Sequence, residues 1–287
     1  MRKQYLFGHT CIEVEMPEEM LIPENLHLFE TESEEVQRCY KIEFTRELDV
    51  AEKQFREAHP DLQEIMRNNM RILLADGKEC RILNFFGASV PYAIYVEESE
   101  TFSRVFVDPE TRELMIYDTI FVSLLALEKM MIREKALLLH SAYMCLNEKA
   151  VLFSAPSGTG KSTQADLWER YRGTRTVNGD KSLLIKEKDG WYAYGWPICG
   201  SSGICENETF PILGIVMLRQ AKENRVRRLG IAEAVKKLVA QITMNMWNTQ
   251  FQLEALDLIQ QLVMDVPVYE LECDISEDAV ICLENIL

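Results

Sequence analysis

The sequence lacks long apolar runs, a surplus of basic residues and a secretion signal. No stretch of 18 or more apolar residues is present, which excludes an ordinary transmembrane helix. The opening residues, MRKQYLFGHTCIEVEM, turn polar too early for a signal peptide, so a cytoplasmic protein is expected. The 31 basic residues are outnumbered by 46 acidic ones, for a formal net charge of −15. Such a surface repels polyanions, and neither nucleic acid nor a membrane is expected as a partner.

Cysteines at metal-binding spacing are also missing. Eight cysteines are scattered along the 287 residues without a C-x-x-C pair and without a histidine close by at ligand spacing. This pattern argues against a zinc site and indicates reduced thiols that pack as small apolar side chains. Cys199 and Cys205 differ from the others because they lie in a Gly/Ser-rich stretch.

No Pro/Gly/Ser-rich linker, internal repeat or low-complexity segment marks a domain boundary. The character of the sequence nevertheless changes along the chain, and we place the junction between residues 117 and 118. Residues 1–117 are predicted to form an α+β domain that is mainly an antiparallel β meander. Its alternative roles are a substrate or partner module, a lid, a homo-oligomer contact or plain scaffold. The motifs with recognisable chemistry lie in residues 118–287.

Local patterns predict several elements around this junction. A polar helix is predicted from Val50 to Asn69, and Asp76-Gly77 is predicted to be a hairpin turn. Asp108-Pro109 is expected to separate two strands, the second of which is Leu114–Tyr117. The apolar spacing from Ile120 to Ile132 is typical of an amphipathic helix.

The most informative motif is Ala155–Thr163, which reads APSGTGKST between the apolar run Ala150–Phe153 and a helix-like segment. Small residues of this kind let successive backbone N–H groups turn inward around a phosphate at the positive end of the following helix. Lys161 is placed to reach the β- and γ-phosphates of a nucleotide, and Ser162 to ligate Mg²⁺. Because Ala155 stands where the usual pattern has glycine, its φ must be negative. The segment predicts a nucleotide-binding loop, against the alternative of a Gly/Ser turn with a surface lysine.

Strand-like segments around this loop are joined by short turns. Leu137–Cys145 and Ala150–Ser154 are separated by the turn Asn147-Glu148-Lys149, so the two strands must be antiparallel. Ser182–Lys186 and Trp191–Tyr194 are predicted to form a further hairpin. Ordinary phosphate-loop ATPases and GTPases continue instead with βαβ units and a parallel sheet. The predicted fold class is therefore α/β with a mixed sheet.

The end of the chain is predicted to contribute packing rather than chemistry. Helices are predicted from Ala232 to Trp247 and onward to about Met264, followed by a strand Val268–Leu271. Ser276 is expected to open a last helix.

The order of these segments resembles a known family. His140-Ser141-Ala142, the hairpin, Ser-x-Gly-x-Gly-Lys-Ser, a helix and Val177-Asn178-Gly179-Asp180 are similar to the HPr kinase/phosphorylase catalytic domain. They are more distantly similar to ATP-dependent phosphoenolpyruvate carboxykinase. The stretch Gly195–Gly203 resembles a branch of HPr-kinase-like proteins, some of which act on peptides or on free serine. The resemblance, over roughly residues 137–220, implies a P-loop domain with a mixed sheet and kinase activity.

The resemblance also implies roles for individual residues. His140 matches the family histidine beside the transferred phosphate, although a histidine after an apolar run is more often a core residue. Gly179-Asp180 stands where the family commonly has two acids, so Asp180 is either a metal ligand or the base for the acceptor hydroxyl. Catalysis would then involve Asp180, His140 and Lys161, and Mg²⁺ would be held by Ser162 and Asp180. The nucleotide would be bound by Ser157, Gly158, Thr159, Gly160, Lys161, Ser162 and Thr163.

A basic patch stands out in the acidic chain; it consists of Arg219, Arg225, Arg227 and Arg228. Arg219 ends a predicted strand and could neutralise charge on a transferred phosphoryl group. The alternative is a solvated connection without a role in chemistry.

Together these features predict an enzyme that uses ATP and Mg²⁺ to phosphorylate an alcohol. The favoured acceptor is a serine hydroxyl of a peptide, a protein or the free amino acid. A first rival is a regulatory adaptor that binds ATP or ADP without transfer, and the missing acid at Gly179 favours it. A second rival is a decarboxylating, carboxykinase-like enzyme, which would need further basic residues for a dicarboxylate.

Overall fold

The computed structural model of the protein describes residues 1–33, 35–67 and 69–287. Its chain divides into two compact units, Met1–Leu127 and Glu128–Leu287. The junction proposed from the sequence, between residues 117 and 118, falls ten positions before this division. Both units combine helices with sheets that contain parallel and antiparallel neighbours, so the predicted α/β class with mixed sheets is confirmed. Within the described ranges, no helix is long and apolar enough to cross a membrane.

The first unit is built on a nine-stranded sheet. Its strands are β1 (Arg2–Phe7), β2 (Thr10–Glu15), β3 (Glu30–Thr31), β4 (Arg38–Phe44), β5 (Gln63–Arg67), β6 (Met70–Ala75), β7 (Lys78–Asn84), β8 (Pro91–Glu97) and β9 (Phe102–Val107). They follow the order β3-β1-β2-β4-β9-β8-β7-β6-β5. Strand β4 is parallel to β2 and β9, and the remaining neighbours are antiparallel. The sheet is mainly antiparallel, as predicted.

Helix α1 (Leu48–Ala58) packs on this sheet, and it ends earlier than the sequence pattern indicated. The predicted helix Val50–Asn69 is wrong beyond Ala58, because Gln63–Arg67 pairs with β6 as strand β5. Pro60 gives the physical reason, since proline disfavours helical geometry in the residue before it. Position 68 of that prediction lies outside the described residues.

Of two further predictions for the first unit, one is confirmed and one is wrong. The Asp76-Gly77 turn is confirmed between β6 and β7, with φ values of 51° and 75°. The predicted strand Leu114–Tyr117 is wrong, because Pro109–Ile116 forms a 3₁₀ helix. Its start is fixed by the Asp108 carboxylate, which accepts a hydrogen bond from the N–H of Glu110 at 2.9 Å.

The predicted helix Ile120–Ile132 is interrupted. Helix α2 (Asp118–Ser123) and helix α3 (Leu127–Arg133) are separate elements. Ala126 lies between them with a φ of 50°, a left-handed conformation that cannot continue a helix.

The second unit contains eight strands and four helices after α3. The strands are β10 (Ala136–Leu146), β11 (Lys149–Ser154), β12 (Arg175–Asn178), β13 (Lys181–Lys186), β14 (Trp191–Tyr194), β15 (Thr209–Gln220), β16 (Arg225–Arg228) and β17 (Val268–Cys273). The helices are α4 (Lys161–Arg172), α5 (Ile231–Val239), α6 (Thr249–Asp265) and α7 (Glu277–Glu284). Both predicted hairpins are confirmed, because β10 is antiparallel to β11 and β13 to β14.

The strands of this unit form one mixed sheet in which two long strands each have several neighbours. β10 pairs with β13 near its start and with β11 and β12 near its end. β15 pairs first with β14 and then runs parallel to β11 and β17. This arrangement brings the segment after β11 and the segment after β12 to the same part of the unit.

Helices cover both faces of the sheet, because residues of β11 alternate between two buried clusters. Ala150 and Leu152 pack in the cluster that contains α5 and α6, whereas Val151 and Phe153 pack with α4 and α7. Trp168 of α4 is fully buried in the second cluster. The packing fixes the direction in which α4 leaves the sheet.

The predicted helix Ala232–Trp247 is wrong in its second half. α5 ends at Val239, and the following segment pairs with β10 through a bridge between Ile242 and Leu139. The carbonyl oxygen of Gln241 accepts a hydrogen bond from the His140 N–H at 2.9 Å. Tertiary pairing therefore overrides the helical pattern and also holds the backbone of His140.

Candidate functional site

The candidate site lies where β11 ends and the chain passes through residues 155–160 into α4. β15 runs parallel to β11, so the carboxyl ends of both strands lie at one edge of the sheet. Ligands of α/β sheets bind at this kind of edge. The first amides of a helix have no partner within the helix, and they present partial positive charge to the loop.

Two glycines shape the loop. Gly158 and Gly160 have φ values of 77° and 109°, which L side chains rarely adopt. The N–H of Thr159 donates to the carbonyl oxygen of Pro156 at 3.2 Å, closing the turn between them. Ala155 is buried in the cluster with Trp168, and its φ is not positive. Ala155 therefore fits the loop without a positive φ, the condition that an alanine at this position has to meet.

Lys161 is the first residue of α4, and its side chain is largely buried at 7% exposure. Its Nζ donates to the carbonyl oxygen of Ala155 at 3.2 Å. Burial lowers the pKa of Lys161, the Asp180 carboxylate opposes this shift, and the Lys181 charge adds to it. An anion beside Nζ would relieve the cost of keeping this ammonium charged.

We expect Lys161→Met to stabilise the unliganded protein at neutral pH. A lysine with a lowered folded pKa holds its proton less readily in the folded chain than in the unfolded chain. Its charge therefore costs stability below the folded pKa, and the cost disappears as the pH rises above the unfolded value. Thermal unfolding at pH 7 should show a rise in Tm of roughly 1–4 °C. The exposed Lys188 is the matched control, since Lys188→Met should change Tm by about 1 °C or less, and a lower Tm for Lys161→Met would contradict the expectation.

His140 and Asp180 meet beside the loop. The Nε2 of His140 lies 3.5 Å from the Oδ1 of Asp180, and both side chains are about three quarters buried, at 23% and 28% exposure. Burial by itself raises the pKa of Asp180, but the hydrogen bond from His140 and the charges of Lys181, His140 and Lys161 outweigh it. The pKa of Asp180 therefore lies below its ordinary value, and the carboxylate is ionised at neutral pH.

Asn178, which was not predicted as a site residue, holds Asp180 in place. Its side chain is fully buried, and its Oδ1 accepts hydrogen bonds from the N–H groups of Asp180 at 2.8 Å and Lys181 at 2.9 Å. Its Nδ2 donates to the carbonyl oxygen of Trp196 at 2.7 Å. An Asn before a glycine is a known turn signal and could have pointed to this residue.

The predicted residues surround one small polar cleft of about 240 Å³. Its lining consists of His140, Ser157, Gly158, Gly160, Lys161, Ser162, Thr163, Gly179, Asp180 and Ser201. Of the predicted site residues, Thr159 belongs to the loop but not to this lining; its carbonyl oxygen accepts a hydrogen bond from Gln220 at 3.2 Å. Ser201 also lines the cleft, although it was not predicted as a site residue.

The space where the resembling family has another acid is filled. A Cβ built at Gly179 would lie 1.8 Å from the Oγ and 2.5 Å from the Cβ of Ser202. Ser202 is itself fixed, because its Oγ donates to the carbonyl oxygen of Cys199 at 2.8 Å and accepts from the N–H of Ile204 at 3.2 Å. The loop around Ser202 therefore leaves no room for a side chain at position 179.

We expect Gly179→Ala to destabilise the protein by about 1–3 kcal/mol, because the added methyl overlaps Ser202. The double variant Gly179→Ala/Ser202→Gly removes the clashing atoms and should recover part of the loss. Urea unfolding of both single variants and the double variant gives the coupling free energy, which should exceed about 1 kcal/mol. Additive effects, within about 0.5 kcal/mol, would show that the two positions do not touch.

The predicted arginine patch lies outside the cleft lining. Arg219 is exposed, and its Nη1 donates to Glu272 at 2.6 Å. Arg227 forms ion pairs with Glu233 and Glu270. The structure thus gives these arginines carboxylate partners on neighbouring elements.

The first unit contains a larger and more open cleft of about 960 Å³. Two ion pairs join charged residues of its lining, Arg2 with Glu13 and Lys3 with Glu30. The smaller cleft is the stronger candidate, because there a buried lysine and an ionised carboxylate converge on a glycine-shaped loop.

Comparison with known proteins gives a family and weak similarity to solved structures. A family model described as "ScmC: SynChlorMet cassette protein ScmC" matches residues 106–287, more than half of the 287-residue chain. A solved structure described as "Structure of the Hpr(Ser) kinase/phosphatase from Coxiella burnetii" is similar over 52% of this chain and 87% of that chain, with 11% sequence identity and a TM-score of 0.32. The chain matches none of the curated proteins compared with it.

Proposed function

The chain belongs to the ScmC family of SynChlorMet cassette proteins, and we propose that it is an ATP- and Mg²⁺-dependent phosphotransferase. Its acceptor would be an alcohol, namely a serine hydroxyl of a peptide, a protein or free serine. The fold proposed with this activity is a P-loop domain of the HPr kinase/phosphoenolpyruvate carboxykinase type. One observation carries the proposal: the glycine-shaped loop, His140 and Asp180 line the same cleft.

The loop and Lys161 would bind the nucleotide through its phosphates. The amides at the start of α4 and the Lys161 ammonium offer hydrogen bonds and positive charge at one point. A cleft of about 240 Å³ suits a phosphate chain better than a whole nucleotide, since pockets for small molecules usually occupy about 300–1,000 Å³. The base and ribose would therefore lie outside the cleft.

Ser162 and Asp180 are the residues that would hold Mg²⁺. Both residues line the cleft and carry side-chain oxygen atoms, and Mg²⁺ prefers oxygen ligands supplied jointly by one or two carboxylates, water and substrate phosphates. No group of three or more His, Cys, Asp or Glu side chains that could hold a metal ion occurs in the described part of the chain. This supports an ion shared with the nucleotide over one enclosed by protein ligands. The ion would neutralise charge on the phosphates.

His140 and Asp180 would act on the transferring group and its acceptor. A protonated His140 can donate a hydrogen bond to a phosphate oxygen, and Asp180 lies 3.5 Å from its Nε2. The ionised Asp180 can either ligate the metal or accept the proton of the attacking hydroxyl. Catalysis of this kind depends on position and electrostatics, with little covalent work for the protein.

The test is incubation of the purified protein with γ-labelled ATP, Mg²⁺ and serine-containing acceptors. Label on an acceptor, absent without protein, is the expected result.

The filled space at Gly179 favours a second candidate, a regulatory adaptor that binds ATP or ADP without transfer. Nucleotide binding with no labelled product, across peptides, proteins and free serine, would support the adaptor and contradict phosphotransfer.

A further inference from the structure

A serine of the protein itself lies in the candidate cleft. Ser201 lines it together with Lys161, Ser162 and Asp180, and Ser201 is exposed. It is the central residue of a short 3₁₀ turn, Gly200–Ser202. An alcohol of the chemical class that the proposed reaction consumes is thus already present at the site.

The turn is held close to Asp180 by its backbone. Gly200 has a φ of 60°, and a Cβ built there would lie 2.9 Å from the Cβ and 3.0 Å from the Oδ1 of Asp180. Glycine is therefore required at this position for conformation and for space. The backbone immediately before Ser201 approaches the carboxylate that could accept a proton.

The two neighbouring serines differ in their hydrogen bonds. The Ser202 hydroxyl donates to the carbonyl oxygen of Cys199 and accepts from the N–H of Ile204. The Ser201 hydroxyl forms no hydrogen bond with the described residues. The Ser202 hydroxyl stabilises the loop through these bonds, whereas the hydroxyl of Ser201 is available for reaction.

We propose that the protein phosphorylates its own Ser201 in an intramolecular step, an inference that rests on the proposed phosphotransferase function. The Oγ of Ser201 forms a bond to the γ-phosphorus of ATP, and the bond from this phosphorus to the β–γ bridging oxygen breaks. ADP is the leaving group, and the hydroxyl proton passes to the Asp180 carboxylate or, when that carboxylate ligates Mg²⁺, to solvent.

Phosphorylation of Ser201 would limit further nucleotide binding. A phosphoserine carries a charge of about −1.5 to −2 and would stand among the groups that bind the nucleotide phosphates. The phosphorylated chain should bind Mg-ATP at least about tenfold more weakly than the unmodified chain. Equal affinity of the two forms would contradict a location of Ser201 in the phosphate cleft.

The experiment incubates the full chain with γ-labelled ATP and Mg²⁺ without an added acceptor. Fragmentation mass spectrometry should place the label on Ser201, and the labelling rate per chain should not change with protein concentration. Ser201→Ala and Lys161→Ala should remain unlabelled. Ser202→Ala should still be labelled, and Ser201→Thr, which keeps a hydroxyl, should be labelled at the same position.

The outcomes separate this inference from the proposed function. Labelled acceptor with an unlabelled protein would overturn self-phosphorylation and leave phosphotransfer standing. Label at another residue, or a rate that rises with protein concentration, would overturn the intramolecular step at Ser201. A folded chain that does not bind Mg-ATP would overturn the proposed function and this inference with it.

Discussion

Lys161→Ala is expected to lower phosphotransfer by roughly 1,000-fold or more while the protein stays folded. Lys161 starts α4, and its buried Nζ is held at the loop by the carbonyl oxygen of Ala155. In this position its charge would stabilise the phosphoryl group during transfer, and no water molecule can replace a fixed cation. Removing it should raise the energy of the transition state more than that of the bound nucleotide.

Initial rates with labelled ATP and an acceptor measure the effect, and thermal unfolding shows that the variant is folded. Lys188→Ala is the control, because Lys188 is exposed in a hairpin turn and should keep the wild-type rate. A Lys161→Ala protein that transferred phosphate at the wild-type rate would show that the loop takes no part in the reaction.

Asp180→Asn is expected to cause a loss of transfer of similar size, roughly 1,000-fold. Asparagine keeps the size of the side chain and an oxygen that can accept a hydrogen bond, but it removes the negative charge. The charge matters because the lowered pKa of Asp180 keeps it ionised, through His140, Lys181 and Lys161. The exposed Asp166 of α4 provides the matched control Asp166→Asn, which should be as active as the wild type.

The same variant distinguishes the two roles left open for Asp180. If Asp180 ligates the metal, Asp180→Asn should raise the Mg²⁺ concentration needed for nucleotide binding. If Asp180 is the base, nucleotide and metal affinity should persist while the rate at saturation falls. Wild-type activity of Asp180→Asn would contradict both roles.

The part of the site that is continuous in sequence could be predicted without a structure. Ala155–Thr163 contains small residues and a lysine and leads directly into a helix. Its backbone geometry is therefore determined by residues that are neighbours in the sequence. The hairpins were predictable for the same reason, because short turns leave only antiparallel pairing. The cleft itself is not local, since His140 and Asp180 meet through the pairing of β10 with β13.

Contacts between residues that are distant in sequence explain most of the missed and wrong predictions. Ser202 fills the space beside Gly179 from 23 positions away, and no sequence pattern reports that contact. The helix predicted over Ala232–Trp247 fails because the segment containing Ile242 is bonded to β10. Pro60 could have shortened the helix predicted from Val50, since the residue before a proline is biased away from helix.

The most direct test of the central claim is isothermal titration calorimetry of the wild-type protein and Lys161→Ala with Mg-ATP. A loop that binds nucleotide phosphates should give one site per wild-type chain with a Kd between about 1 µM and 1 mM. The folded Lys161→Ala variant should bind at least about tenfold more weakly. No binding to the folded wild-type chain at two temperatures, or equal affinity of the two proteins, would contradict a nucleotide site at this loop.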